Sequence, residues 1–123
     1  MQISKKNVNK QVEKRIFKSL YQVLADLRKP EDVEKFLDDV LSETEKTVLA
    51  KRLGIAWYLN KKMSYDVIRK DLKVSSATIA TVQKGFEKGK EGMKLAIKAI
   101  EADEWAGEMA NKVKESVKKI FKK

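Results

Sequence analysis

A chain of 123 residues, 42% of them apolar, can build one domain with a modest core and hardly two. Its 28 Lys and Arg against 18 Asp and Glu give a formal charge of +10, and it has neither His nor Cys. Thiol nucleophiles, disulfides, imidazole bases and almost every zinc site are thereby removed, so no metal or cofactor is expected. No apolar run approaches the roughly 18 residues of a membrane span. The opening MQISKKNVNK lacks the apolar core of a secretory signal. A small, basic, cytoplasmic binding protein with no membrane partner is expected.

One Pro and 5 Gly favour long helices with short connections, hence an all-α, multi-helix fold. From Val8 to Leu27, apolar residues fall at Val8, Val12, Ile16, Leu20 and Leu24, with Phe17, Tyr21 and Leu27 alongside, a helical stripe. Pro30 before Glu31 and Asp32 marks a second helix start, since Pro fits the first turn and acids favour the positive dipole end. Val33, Phe36, Leu37 and Val40 form its apolar face. Ser42 and Glu45 have capping-box spacing, so a third helix follows, with Leu49, Leu53, Ala56 and Leu59 on one side. Gly54 inside it weakens the helix by about 1 kcal/mol against Ala, which predicts close helix packing there.

Asn60 to Lys62 reads as a connector. Ser64 caps the next helix, with Val67, Ile68 and Leu72 inward, and Lys73 to Ser75 is a break. Ser76 to Phe86 has strand-favouring Thr78, Ile79, Thr81 and Val82. Yet Ile79, Val82 and Phe86 keep helical spacing and no second strand exists to pair with it, so a helix is predicted. Gly85, Gly89 and Gly92 suggest a joint at about 87–92. Beyond it Leu95, Ala99, Ala102, Ala106, Met109, Val113, Val117 and Ile120 step by three or four along a long amphipathic helix.

Residues 64–86 then form a helix-turn-helix. Ile68 and Leu72 on the first helix, Val74 in the turn, and Ile79 and Val82 on the second are the apolar positions that fix its crossing. On the opposite side of the second helix lie Ala77, Ala80, Thr81 and Lys84, with Ser76 at its start. Small side chains let a helix approach base edges and touch thymine methyls, and Thr81 can hydrogen-bond a base. Ser76, Ala77, Ala80 and Thr81 are the expected base contacts. Lys61, Lys62, Arg69, Lys70, Lys73 and Lys84 are the expected phosphate contacts.

Charge agrees with that placement. Residues 51–90 carry 10 basic and 3 acidic side chains, the largest local excess, whereas 29–50 carry 3 and 7. A localised positive field on a folded unit suits double-stranded DNA. A lysine-rich, merely soluble surface would look similar by charge alone. Many such motifs carry Gly where Lys73 stands and a small residue where Arg69 stands.

The stretches LSETEKTVLAKRLGIAWYL and MSYDVIRKDLKVSSATIATV, after DLRKPEDVEKFL, together resemble the tryptophan repressor family and its less characterised relatives. The likeness covers roughly residues 25–86. It implies an all-helical fold, an intertwined homodimer with interleaved N-terminal helices, and DNA binding in which Arg69 matches a DNA-contacting lysine. On that basis residues 1–90 form the repressor-like domain and 91–123 an amphipathic helical extension. Ser42, Arg52 and Thr78 fall at positions that line the family's effector pocket. Arg52 is equally suited to pairing with Asp38 or Asp39. Thr81 stands where the family has the arginine that sandwiches the indole, and Gly85 where it has a serine. The lost stacking cation is worth roughly 0.5–2 kcal/mol, so the resemblance does not carry tryptophan across as effector.

The function expected is a dimeric, sequence-specific transcriptional regulator, a repressor associated with the nucleoid. Dimerisation sets two recognition helices about 34 Å apart for the two half-sites of a palindrome. The competing reading is a helical interaction or scaffold protein that never touches DNA. Few aromatics offer base stacking for RNA. No His, Cys, Gly-rich phosphate loop or isolated carboxylate pair supports an enzyme. The lysine-rich final helix packs on the core or in a dimer, with an anionic membrane as the alternative.

Overall fold

The computed structural model describes residues 8–89 and 91–121, without the side chain of Phe121. These form six α-helices and no strand: α1 Lys10–Asp26, α2 Pro30–Val40, α3 Glu43–Asn60, α4 Tyr65–Leu72, α5 Ser76–Glu87 and α6 Glu91–Phe121. The all-α expectation holds, including the segment whose propensities favoured a strand. The backbone divides into two compact units, Met1–Lys46 and Thr47–Lys123.

In the first unit, Asn9 caps α1 by accepting from the amide of Gln11 at 2.9 Å, a cap the apolar stripe does not reveal. The stripe itself remains open: Ile16 is 57% and Tyr21 63% exposed. Pro30 occupies the first turn of α2, where its missing N–H leaves no helical bond unmade. Val33, Phe36 and Leu37 are half-buried, whereas Val40 is exposed. The predicted capping box forms in both directions. The amide of Glu45 donates to Ser42 Oγ at 3.1 Å, and the amide of Ser42 donates to Glu45 Oε1 at 2.8 Å. That second bond, with the first behind it, holds the Glu45 carboxyl below its usual range. Asp38 pairs with Lys46, and this contact raises the lysine's pKa, so one of the two acids suited to Arg52 has a different partner.

In the second unit, Ile55, Ile68 and Ile79 are fully buried, one from each of α3, α4 and α5. Tyr58, Leu59, Tyr65, Leu72, Val74 and Val82 pack around them. Burying each isoleucine contributes about 1.5–3 kcal/mol. Gly54 lies against Leu72: a Cβ built there would stand 3.3 Å from Leu72 Cδ1, so the close packing predicted at this glycine is real. The face assigned to α3 needs correction. Leu49 is 53% and Leu53 37% exposed, while Ile55 and Ala56 carry the burial. Helix α3 is apolar on more than one side, and its spacing alone does not choose between them. Val67, expected inward, is 38% exposed.

Helix α5 ends at Glu87, and Gly89 takes φ 71° before α6 begins, in the predicted joint. The left-handed backbone there is open to glycine without steric cost. On α6, Ile97 is buried and Met93, Ala96 and Ile100 are half-buried. Asn60 Nδ2 donates to Glu101 Oε1 at 2.9 Å, and Lys61 Nζ lies 3.5 Å from Glu104 Oε2. This docking face is not the stripe foreseen from Leu95 to Ile120, whose large members are all exposed.

Candidate nucleic-acid interface

Two serines and one left-handed residue shape the α4–α5 pair. Ser64 Oγ accepts from the amide of Val67 at 3.3 Å and starts α4. Ser75 Oγ accepts from the amide of Thr78 at 3.2 Å and starts α5. Each satisfies an amide that the first helical turn leaves unpaired. Between them the chain reverses in three residues, and Lys73 ends α4 at φ 54°, ψ 54°, its amide bonded to Arg69 O at 2.9 Å. Many helix-turn-helix motifs place Gly at this position. Here a lysine accepts the same backbone, and Lys51 Nζ donates to its carbonyl at 3.3 Å.

From the inside, Ile68 and Ile79 anchor the pair, with Leu72, Val74 and Val82 against the same cluster. All five apolar positions of the sequence pattern therefore meet. Outside, Ser76, Ala77, Thr81 and Lys84 are exposed on α5, and Ala80 is half-buried at the flank. Thr81 Oγ1 donates to Ala77 O at 3.0 Å. Its hydrogen is thus engaged, and its exposed oxygen keeps the capacity to accept a further hydrogen bond.

The basic residues divide. Arg69, Lys70 and Lys73 share the last turn and cap of α4, and all three are exposed. Arg69 is paired with Asp66 at i,i+3, an exposed contact worth at most about 1 kcal/mol that a phosphate can displace. Lys62 sits in the turn after α3 with φ 63°. Lys61 has two neighbours within the fold: besides Glu104, its Nζ stands 4.6 Å over the Trp57 ring. It ties α3 to α6. Lys51 was not foreseen at the turn, because only the packing of α3 against α4 brings it there.

Two of the three expected effector residues are engaged in helix caps. Ser42, in the first unit, closes the capping box. Thr78 Oγ1 is 2.9 Å from Ser75 Oγ, inside the α5 cap. Arg52 is exposed on α3. An open cleft of the second unit lies among Leu59, Met63, Tyr65, Gln83 and Phe86, where Tyr65 donates to Gln83. None of the three expected residues lines it. Among the described residues no three His, Cys, Asp or Glu gather where a metal would sit, and no helix is long and apolar enough to cross a membrane.

A serine-capped helix pair, locked by two buried isoleucines and bare of bulk on its outer side, is the helix-turn-helix class. The family model described as Trp repressor protein matches residues 15–101. The chain belongs to the Trp repressor family. It is 28% identical over 85 residues to the uncharacterised protein YerC of Bacillus subtilis strain 168, covering 69% of this chain and 82% of that one. The crystal structure of a candidate Trp repressor from Staphylococcus aureus superposes with a TM-score of 0.67 at 23% identity. The match covers 74% of this chain and 94% of the other, a likeness of fold. The family match extends beyond residues 25–86 in both directions and takes in the first turns of α6.

Proposed function

We propose that this protein is a dimeric, sequence-specific DNA-binding transcriptional regulator, a repressor that occupies palindromic sites in the nucleoid. Membership of the Trp repressor family supports the class. The observation that carries the reading is the two-sided character of α5: Ile79 fully buried, and Ala77 and Thr81 exposed on the reverse side. Such a helix keeps its place while its outer face enters a major groove.

In this reading Ser76, Ala77, Ala80 and Thr81 meet base edges. Thr81 accepts from an adenine or cytosine amino group, and Ala77 touches a thymine methyl. Lys62, Arg69, Lys70, Lys73 and Lys84 neutralise phosphates, and Lys51 supports the turn beneath them. The exposed stripe of α1, with Phe17 at 48% and Leu24 at 38%, is the natural place for a second copy. No catalysis and no tryptophan switch enter this account.

Selection of bound fragments from a genomic DNA pool at physiological salt tests it. The wild type should enrich a palindromic sequence. Thr81→Ala and Ala80→Glu should abolish enrichment with helicity retained. Binding that shows no preference over random DNA rejects the specific reading. The alternative, an interaction protein without DNA binding, draws on the same open apolar stripes. It predicts that any association with DNA is insensitive to salt, against a slope of about −0.9 in log affinity per phosphate contact.

A further inference from the structure

Helix α5 is held to its neighbours in two ways. One is apolar: Ile79 is fully buried in the cluster, and Val82 packs against it. The other is a polar tie, in which the Tyr65 hydroxyl donates to Gln83 Oε1. Among the described residues this is the one side-chain hydrogen bond that joins α5 to another helix. Hydrophobic contact is non-directional, so Ile79 and Val82 draw α5 inward without by themselves fixing its roll about its own axis. A hydrogen bond has both a length and a direction.

The place of the tie suits that task. Tyr65 opens α4, 8 residues before Lys73, and Gln83 lies 8 residues after Ser75. The bond therefore joins the two helices about 12 Å along each from the turn, and turn and bond together close a triangle. At its turn end α4 is tied to α3 as well: Tyr58 donates to Asp71 Oδ2 at 2.9 Å, and Leu72 lies against Gly54. The Tyr65 ring packs on the cluster of Ile55, Ile68 and Ile79, so its hydroxyl is presented from a firm base. Both Tyr65 and Gln83 are half-buried, where water competes less for the bond than on the open surface.

Gln83 stands 3 residues after Ala80 and 7 after Ser76, so the three share one flank of α5. Ser76 and Ala80 are among the side chains assigned to base edges. A roll of α5 by about 10° moves an outer side chain by about 1 Å, whereas a hydrogen bond to a base edge tolerates about 0.5 Å. We infer that the Tyr65–Gln83 bond is the brace that sets the roll of α5, which makes Tyr65 a positioning residue for discrimination among DNA sequences. This role rests on the DNA-binding function proposed above. Tyr65 touches no DNA in it, and attraction to phosphates does not pass through it.

The test measures the full chain on two duplexes of equal length, the sequence enriched from the genomic pool and a random one. Tyr65→Phe keeps the ring and removes only the donor. Its preference for the enriched duplex should fall about tenfold, the worth of one good base contact. Affinity for the random duplex should stay within about twofold and keep its salt slope, because phosphate contacts set both. Gln83→Leu removes the acceptor and should lose the same preference, which also reads the brace if the phenylalanine variant loses helicity. The double variant should lose no more than either single one. Gln83→Glu keeps an acceptor; its added charge weakens both duplexes alike, so their ratio should be retained. A merely structural role would lower helicity or both affinities together, with no rescue of the ratio by glutamate. Full preference in Tyr65→Phe, additive losses in the double variant, or loss of the ratio in Gln83→Glu overturns the brace and leaves DNA binding intact. A wild type that enriches no sequence overturns the DNA-binding function and the brace with it.

Discussion

Lys73 is where the stability of the turn and its proposed role diverge. Its φ of 54° and ψ of 54° place a side-chain-bearing residue in left-handed backbone, which costs about 1–2 kcal/mol. Glycine avoids that cost but loses about 0.5–1 kcal/mol through its freer unfolded chain. Lys73→Gly should therefore stabilise the protein by a net of about 0.5–1 kcal/mol, raising Tm by roughly 2–5 °C for a chain of this length. The Lys51 bond to the residue 73 carbonyl involves only main chain at that position and survives the change. If Lys73 meets a phosphate as proposed, the same substitution removes that contact, and the slope of log affinity against log salt should become shallower by about 0.9 per protomer. Lys73→Asn tolerates the left-handed region and should fall between Gly and Lys in stability, with the same loss of slope. Lys73→Val, β-branched, should melt lowest of the four. Thermal melts followed by circular dichroism, with DNA titrations at several salt concentrations, read both effects. A glycine variant that melts at or below the wild type refutes the backbone reasoning. An unchanged slope refutes the phosphate contact.

Three further outcomes follow from the hydrogen bonds. Ser75→Ala removes the acceptor for the Thr78 amide and the partner of its hydroxyl, and should cost about 1 kcal/mol in urea denaturation. The Glu45 carboxyl, held low chiefly by the Ser42 amide, contributes stability above the ordinary glutamate range that is lost as pH falls through its lowered folded value. Glu45→Gln should flatten the acid limb of a stability–pH curve. The Tyr58 hydroxyl donates to Asp71 Oδ2 at 2.9 Å and is pushed up, first by that bond and then by desolvation. Its contribution is full below the usual tyrosine range and disappears as pH rises through the raised value. Asp71→Asn should bring that ionisation back toward the usual range in an ultraviolet titration.

The caps of α3 and α4 were legible because each depends on residues three apart: Ser42 with Glu45, and Ser64 with Val67. So were the five apolar positions of the helix-turn-helix, which a single geometry requires together. Periodicity gave the rows on α3 and α6 but not what those rows meet. Ile55 went unnoticed since α3 offers apolar residues on several sides, and only the approach of Ile68 and Ile79 selects one. The long row of α6 was complete, yet the docking face came from Met93, Ala96, Ile97 and Ile100, a shorter row on the far side. The neighbours of Lys61 and Lys51 were hidden from the sequence for a similar reason. A lysine's long arm reaches what tertiary packing provides, a Trp57 ring and Glu104 in one case and a helix-end carbonyl in the other.

Those contacts bear on how the positive charge of residues 51–90 is used. Charge counted along the sequence treats every lysine as equally able to meet a phosphate. The fold separates them. Lys61 is bound to an aromatic face and an acid, and Lys51 is turned to a backbone carbonyl, so both hold helices in place. Arg69 is held by Asp66 at the surface, where the acid is 83% exposed and releases its partner to a stronger anion at little cost. Lys70, Lys73 and Lys84 are exposed, the first two at the end of α4 and the third on α5. The net charge gives the protein its attraction to polyanions in general. In the proposed function, sequence discrimination is a separate matter that rests on Ile79 holding the exposed side of α5 in place. Loss of the anchor should therefore erase preference among DNA sequences well before it erases binding.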